Sequence, residues 1–125
     1  MTEQQEKILY FSTNAAENPE KAAIPFVLAN AALAMDVEAT VVLQGNGVYL
    51  AQKGYAERMA PPGGFSPMKK LLTDFLQLGG KLRVCVPCIK DRHIDEAADL
   101  IEGAQTIAAA ELNIEAMQAD AVLVY

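Results

Sequence analysis

Short apolar runs alternate along this chain with segments in which apolar residues recur at helical spacing. Residues 7–12, 38–44 and 81–86 form runs of the buried-strand kind, and shorter runs near Thr106 and at residues 121–125 predict two further strands. Strands that alternate with helices are typical of a parallel sheet covered by helices. We therefore expect an α/β fold, a three-layer α/β/α sandwich with a mainly parallel sheet of about five strands.

Four helices are predicted between these strands. Asn18 and Pro19 offer an N-cap and a first-turn proline for the first helix. Pro25 lacks a backbone donor, so we expect the regular part of that helix to begin nearer Ala22. The second helix is predicted to start after Ser66-Pro67.

The other helix limits come from glycines and from apolar spacing. Gly79-Gly80 is a stop signal for the second helix. The third is predicted from apolar positions in residues 94–101, and the fourth is expected to end near Gln118. Gly45-Asn46-Gly47 reads as a turn, because Asn-Gly favours positive φ. This turn, the residues after the first strand (12–14) and the cysteine segment follow strands, where α/β sheets usually bind ligands.

Composition favours a single domain, residues 1–125, that associates with copies of itself. Hydrophobic residues make up 52% of the chain and the mean hydropathy is +0.14, a surplus that in small domains often covers a subunit interface. The net charge of −6 argues against nucleic-acid binding. The acidic start is unlike an export signal and the most apolar stretch is too short to cross a bilayer, so we expect a cytoplasmic protein with no membrane partner.

The strongest chemical signal is the pair Cys85 and Cys88. In a reducing compartment, two cysteines are more often reactive or metal-binding than a structural disulfide. Strand alternation places Cys85 on the same face as Arg83, and Arg92 follows shortly after Cys88. Cations and a helix start favour thiolate over thiol, so we expect Arg83, Lys90, Arg92 and the following helix to lower the pKa of Cys85. We assign supporting roles to Arg83, Arg92 and His93, the last as a group that could hold a proton for thiol chemistry.

Other interpretations of the pair stay open. Either cysteine could be a small buried hydrophobe. A thioredoxin-like redox motif would follow the first long strand, usually beside a tryptophan, and this chain has none. A zinc site made of Cys85, Cys88 and His93 would lack a fourth ligand. His93, the single histidine, could instead flank a helix. We therefore expect neither a metal nor an organic cofactor.

Several stretches resemble the DsrE/DsrF-like family of sulfur-relay and intracellular sulfur-oxidation proteins. They are residues 85–94 (CVPCIKDRHI) with the acidic pair after them, the ending at residues 119–125, and Gly47-Val48-Tyr49. The resemblance covers most of the chain and implies a DsrE-like variant of the flavodoxin-like sandwich. Family members typically have Arg-Gly where this chain has Arg92-His93.

The resemblance also implies a function. Relay members carry sulfur as a persulfide on a cysteine that matches Cys85, and related members have a second cysteine that matches Cys88. We therefore expect a sulfurtransferase-type carrier that passes sulfur to a partner thiol, works with sulfur-donor or sulfur-acceptor proteins, and forms a homotrimer or homohexamer. The alternatives are a non-catalytic assembly module and a dithiol–disulfide redox protein.

Overall fold

The computed structural model describes residues 5–125, and its centre is a sheet of five strands in the order β4-β3-β2-β1-β5. Every neighbouring pair in this sheet is parallel. The strands are β1 (Lys7–Ser12), β2 (Glu38–Leu43), β3 (Lys81–Cys85), β4 (Ala104–Ile107) and β5 (Ala121–Val124). The predicted α/β/α architecture is confirmed, with strand limits within two residues of those expected.

In the described part of the chain, four α-helices cover the sheet and two short 3₁₀ segments follow β2. The helices are α1 (Pro19–Ala34), α2 (Met68–Gln77), α3 (Val86–Asp91) and α4 (Ala109–Gln118), and the 3₁₀ segments are Gly45–Ala51 and Ala56–Arg58. The predicted turn at residues 45–47 is thus the start of a short helix, in which Gly45 has the positive φ of 53°.

The start of α1 corrects one expectation. The helix begins at Pro19, where the Asn18 side chain accepts a hydrogen bond from the Lys21 N–H at 3.1 Å, and not nearer Ala22. Pro25 is buried within the helix. Because it lies in the second turn of a capped helix of 16 residues, the single lost hydrogen bond does not delay the start.

The prediction of a helix over residues 94–101 is wrong. That segment is a series of turns, and the third helix is α3, which starts directly after β3. The Asp99 carboxylate accepts from the Asp95 N–H at 2.7 Å, so a side chain replaces a helical acceptor. The Ile101 N–H donates to the Ala51 carbonyl at 2.8 Å, which ties the segment to the 3₁₀ helix Gly45–Ala51 instead.

The two faces of the sheet differ in how much they are covered. The larger core lies on the side of α1, α2 and α3, where Phe26 and Phe75 pack edge to face with ring centroids 5.4 Å apart. On the other side α4 covers a smaller cluster made of Leu9, Val42 and Ile107. Parallel crossovers are right-handed, so the reversal of strand order after β4 places α4 alone on this second face.

Apolar side chains remain exposed on and beside this thinly covered face. In α4, Met117 is 77% exposed, and in the edge strand β5, Val124 is 70% exposed. Ile114, Val122 and Leu123 are exposed as well. Exposed apolar groups that lie together indicate an interaction surface. Within residues 5–125, no helix combines the length and apolar character needed to cross a membrane.

The first three helices end in the same hydrogen-bond pattern, a Schellman motif. After α3, the Ile94 N–H donates to the Ile89 carbonyl at 2.9 Å and the His93 N–H to the Lys90 carbonyl at 3.2 Å. In this motif the residue that donates the second of these bonds must have left-handed backbone angles. At α2 that residue is Gly79, with φ 91°. At α3 it is His93, with φ 57°. A glycine after Arg92 would therefore be favoured for a conformational reason, and this chain has His93 there instead.

His93→Gly is expected to stabilise the protein by about 1 kcal/mol, because a left-handed residue with a Cβ is strained and glycine is not. Urea unfolding monitored by circular dichroism would measure the change. His93→Ala is the matched control, since it removes the imidazole but keeps the Cβ and so should bring no gain. Equal stabilisation by alanine would show that the imidazole, and not the backbone, is the source of the strain.

Candidate functional site

The cysteines lie at the carboxyl edge of the sheet, at the point where the helices change sides. β3 leads into α3 on the larger core's face, since Ile89 is buried in that core. β4, which pairs with β3, leads into α4 on the opposite face, where Leu112 packs on the smaller cluster. Such a divergence between neighbouring parallel strands opens a crevice, the usual ligand site in α/β sheets. Cys85 is the last residue of β3 and is paired with Ile107 of β4.

The local sequence brings the two sulfurs together. Pro87 is in the first turn of α3, a position that proline favours, so the helix begins immediately after Cys85. Residues three apart across such a turn lie on one side of it. The Sγ atoms of Cys85 and Cys88 are accordingly 2.9 Å apart, and both cysteines are free thiols and half-buried.

All three loops expected at this edge are close together in the structure. The Gly45 N–H points to the Cys88 sulfur at 3.4 Å. Gly47 is buried against the end of β1, so closely that a Cβ there would lie 2.1 Å from the Ser12 carbonyl oxygen. The Thr13 hydroxyl, in turn, donates to the Tyr125 carbonyl at 2.7 Å, which joins the ends of β1 and β5. The cysteine pair therefore rests on a packed base formed by the ends of β1 and β2.

Burial raises the pKa of the Cys85 thiol above its ordinary value, and the neighbouring Cys88 thiol raises this pKa further. The Cys88 backbone N–H and the charge of Arg92 act in the opposite direction and lower the pKa, but they do not reverse the net effect. The expected lowered pKa is therefore wrong for the reduced pair. The net rise comes chiefly from burial, for which Arg92 compensates only in part.

Arg92 is the cation that the structure places beside the cysteines. Its guanidinium donates to the Cys88 carbonyl at 3.1 Å and to Oδ1 of Asn46 at 3.1 Å. The guanidinium carbon lies 5.8 Å from the ring centroid of Tyr49, within the range of a cation–π contact. Arg92 thus joins α3 to the 3₁₀ helix after β2.

Neither of the other two residues assigned supporting roles forms a hydrogen bond with a sulfur in the part of the chain that the structure describes. Arg83 is half-buried on the face of β3 opposite the larger core, and its guanidinium makes a long contact of 3.4 Å with the Leu82 carbonyl. His93 is exposed in the left-handed turn after α3. Among residues 5–125, no three potential ligands gather into a metal site, so His93 does not join Cys85 and Cys88 as a zinc ligand set would require.

Asn46 and Tyr49 are the site residues whose role the sequence did not reveal. Asn46 reads as part of a turn, and Tyr49 as one of several aromatic residues that could line a pocket but mostly belong to the core or an interface. Their contacts with Arg92 span 46 and 43 positions of sequence, which no local pattern encodes. The available signals are their place after β2, next to the strand that carries Cys85, and, for Tyr49, its place in the Gly47-Val48-Tyr49 stretch.

A cavity of about 90 Å³ lies at the opposite, amino edge of the sheet. Lys7 and Lys81 line it, and both pair with the carboxylate of Glu38. The single carboxylate of Glu38 offsets one of the two positive charges, and Glu115 also lines the cavity. Neither cysteine lines this cavity.

These features define a parallel α/β protein with a dithiol at a topological switch point. The DsrE/DsrF-like family model matches residues 6–125, and the chain belongs to that family. The family is associated with sulfur relay, and its members are known to form oligomers.

Two proteins of Methanocaldococcus jannaschii are similar to this chain in sequence. The uncharacterized protein MJ0989 is 31% identical over 119 residues, which cover 95% of this chain and 99% of that protein. The uncharacterized protein MJ0760 is 33% identical over 91 residues, which cover 73% of this chain but only 33% of that longer protein.

Two solved structures share the fold. The ychN protein from E. coli matches with a TM-score of 0.80 at 21% identity, over 97% of this chain and all (100%) of that one. MTH1491 from Methanobacterium thermoautotrophicum matches with a TM-score of 0.71 at 12% identity, over 98% and 100% of the two chains. At these identities the likeness shows the fold alone.

Proposed function

We propose that this protein is a sulfurtransferase-type sulfur carrier that holds a persulfide on Cys85 and passes the sulfur to a partner thiol. The observation that carries the proposal is the pair of free thiols at the switch point, 2.9 Å apart and beside Arg92. Family membership supports the same chemistry, since sulfur relay is associated with the family. Within this proposal, the protein works in the cytoplasm.

The transfer conserves atoms and electrons without an added oxidant. The Cys85 thiolate attacks the sulfane sulfur of a donor, and the donor's S–S bond breaks with its electron pair leaving on the donor. Cys85 then carries the terminal sulfur. A partner thiolate attacks that terminal sulfur, forms the new S–S bond and releases the Cys85 thiolate.

The raised pKa of Cys85 shapes this chemistry. The thiolate is the nucleophile, so a raised pKa leaves less of it at neutral pH. A thiolate of higher pKa is, however, the stronger nucleophile once formed. A small fraction of a strongly nucleophilic thiolate suits a carrier that reacts with a donor brought to the site and resists indiscriminate alkylation or oxidation.

Incubation with inorganic polysulfide followed by intact-mass analysis tests the proposal. We expect a gain of one sulfur that peptide mapping places on Cys85, its retention in Cys88→Ser, and its loss in Cys85→Ser. Adding a small-molecule thiol should remove the sulfur again. An adduct confined to Cys88, or no adduct on either thiol, would exclude Cys85 as the carrier.

Dithiol–disulfide exchange is a second candidate, and the contact between the two sulfurs favours it. An oxidised pair would form a Cys85–Cys88 disulfide and would not need a donor of sulfane sulfur. Titration against glutathione redox buffers separates the two functions. A redox protein would cycle at a potential near that of the glutathione pool, and its polysulfide adduct would be absent.

The assembly proposed with this function is a homotrimer or homohexamer. The exposed apolar side chains of α4 and β5, among them Met117 and Val124, support contact between subunits there. If the protein were an assembly module with incidental thiols, Cys85→Ser would leave its oligomeric state and its partner binding intact while abolishing only the sulfur adduct. Light scattering of the wild-type protein and of Cys85→Ser compares their oligomeric states.

A further inference from the structure

The guanidinium of Arg92 is fixed to a degree unusual for an arginine near the surface. Its side chain is 21% exposed, and it is held by the Cys88 carbonyl, the Asn46 side chain and the ring of Tyr49. A long cationic side chain loses conformational entropy when it is held in one position, so three contacts are needed to outweigh that cost.

The ring under Arg92 is itself supported. Tyr49 stacks on Tyr55 with ring centroids 5.3 Å apart and an angle of 14° between the planes. The Tyr55 hydroxyl accepts a hydrogen bond from the Ala16 N–H at 3.1 Å, which connects the stack to the loop after β1. The position of the guanidinium is therefore set by the carboxyl edge of the sheet as well as by α3.

The positive charge of Arg92 is not neutralised by these contacts. Asn46 and the Cys88 carbonyl are uncharged, and a guanidinium carries more N–H donors than those two contacts use. Asp91 is 3.8 Å away, but its side chain is 82% exposed, and an ion pair so exposed contributes little. In a protein of net charge −6, this leaves a local cation beside the thiols.

We propose, on the basis of the sulfur-carrier function, that Arg92 is the anion-binding group of the site and that Asn46 and Tyr49 are positioning residues that hold its guanidinium beside Cys85. The site then selects small donors that carry negative charge next to the transferable sulfur, such as polysulfides and thiosulfonates. The same cation stabilises the anionic terminal sulfur while it is carried.

Alkylation of Cys85 by two reagents of different charge tests this inference without any sulfur transfer. Iodoacetate is an anion and iodoacetamide is neutral, so the ratio of their rates reports the local charge that an incoming anion meets. Each ratio is normalised to that of free glutathione, and peptide mapping restricts the measurement to Cys85. The iodoacetamide rate alone shows whether a variant keeps the thiol accessible.

We expect Arg92→Gln to lower the normalised ratio about five- to tenfold, the order of effect of removing a unit charge that acts directly on the Cys85 thiol. Asn46→Ala and Tyr49→Leu should lower the ratio as well. Tyr49→Phe should keep the wild-type ratio, because the aromatic face is kept. Lys90→Gln, which removes an exposed charge of the same segment, is the matched control and should change the ratio little.

Two outcomes would overturn the inference. An unchanged ratio in Arg92→Gln would show that the guanidinium does not meet the incoming anion. A lowered ratio in Arg92→Gln with wild-type ratios in Asn46→Ala and Tyr49→Leu would remove the positioning roles. Because Asn46 is exposed, its variant is expected to fold. Both outcomes are independent of whether Cys85 accepts sulfur from polysulfide, so failure of this inference and failure of the proposed function are distinguishable.

Discussion

Gly47→Ala is expected to destabilise the protein by about 3 kcal/mol, the upper part of the range for overpacking a core. A Cβ at this position would lie 2.1 Å from the Ser12 carbonyl oxygen and 2.9 Å from its carbonyl carbon. Both atoms belong to the backbone of β1, which pairs on both sides with other strands and accepts a hydrogen bond from the Gln44 N–H at 3.0 Å. Neither β1 nor the 3₁₀ helix Gly45–Ala51 can shift to relieve the clash without disrupting its own packing.

The strain is also expected to disturb the site. Gly45 and Asn46, which contact Cys88 and Arg92, directly precede Gly47 in the same 3₁₀ helix. Urea unfolding measures the stability, and the iodoacetate-to-iodoacetamide ratio measures the position of Arg92. Gly64→Ala is the matched control, because a Cβ there meets no atom within 4 Å. A Gly47→Ala protein as stable as Gly64→Ala would show that β1 and the 3₁₀ helix are less tightly packed than the structure indicates.

Cys88→Ser is expected to prolong the life of a persulfide on Cys85 by at least about a hundredfold, since well-oriented neighbouring groups react with effective molarities of the order of 10⁵ M. The Cys88 thiolate attacks the Cys85 Sγ, and the bond from that sulfur to the terminal sulfur breaks. The products are a Cys85–Cys88 disulfide and hydrosulfide, which leaves with the electron pair. The 2.9 Å contact between the two sulfurs already places attacker and target together.

Serine is a suitable replacement because its hydroxyl keeps an acceptor for the Gly45 N–H. Intact mass followed over time in thiol-free buffer, together with assay of released hydrosulfide, measures the decay. Wild-type protein should lose the added sulfur as it gains the disulfide, whereas Cys88→Ser should keep the sulfur. Equal lifetimes in the two proteins, with no disulfide in the wild type, would show that Cys88 does not resolve the persulfide.

The sequence predicted the elements well where one local signal dominates. β1 was expected at residues 7–12 and is found there, because the residues of a short apolar run are enough to predict a buried strand. The stop at Gly79-Gly80 is equally local. The helix predicted for residues 94–101 failed because its apolar spacing competes with Asp95 and Asp99, whose carboxylates bind backbone N–H groups and make turns instead.

By itself, then, the sequence determined the α/β class and the place of Cys85 at a strand end, since both follow from patterns of neighbouring residues. Only the tertiary structure decided that β3 and β4 lie at a switch point, that Asn46 and Tyr49 hold Arg92, and that burial raises the pKa of Cys85. Strand order and burial depend on contacts between residues far apart in the chain, and a local pattern of hydrophobic and charged residues does not specify them.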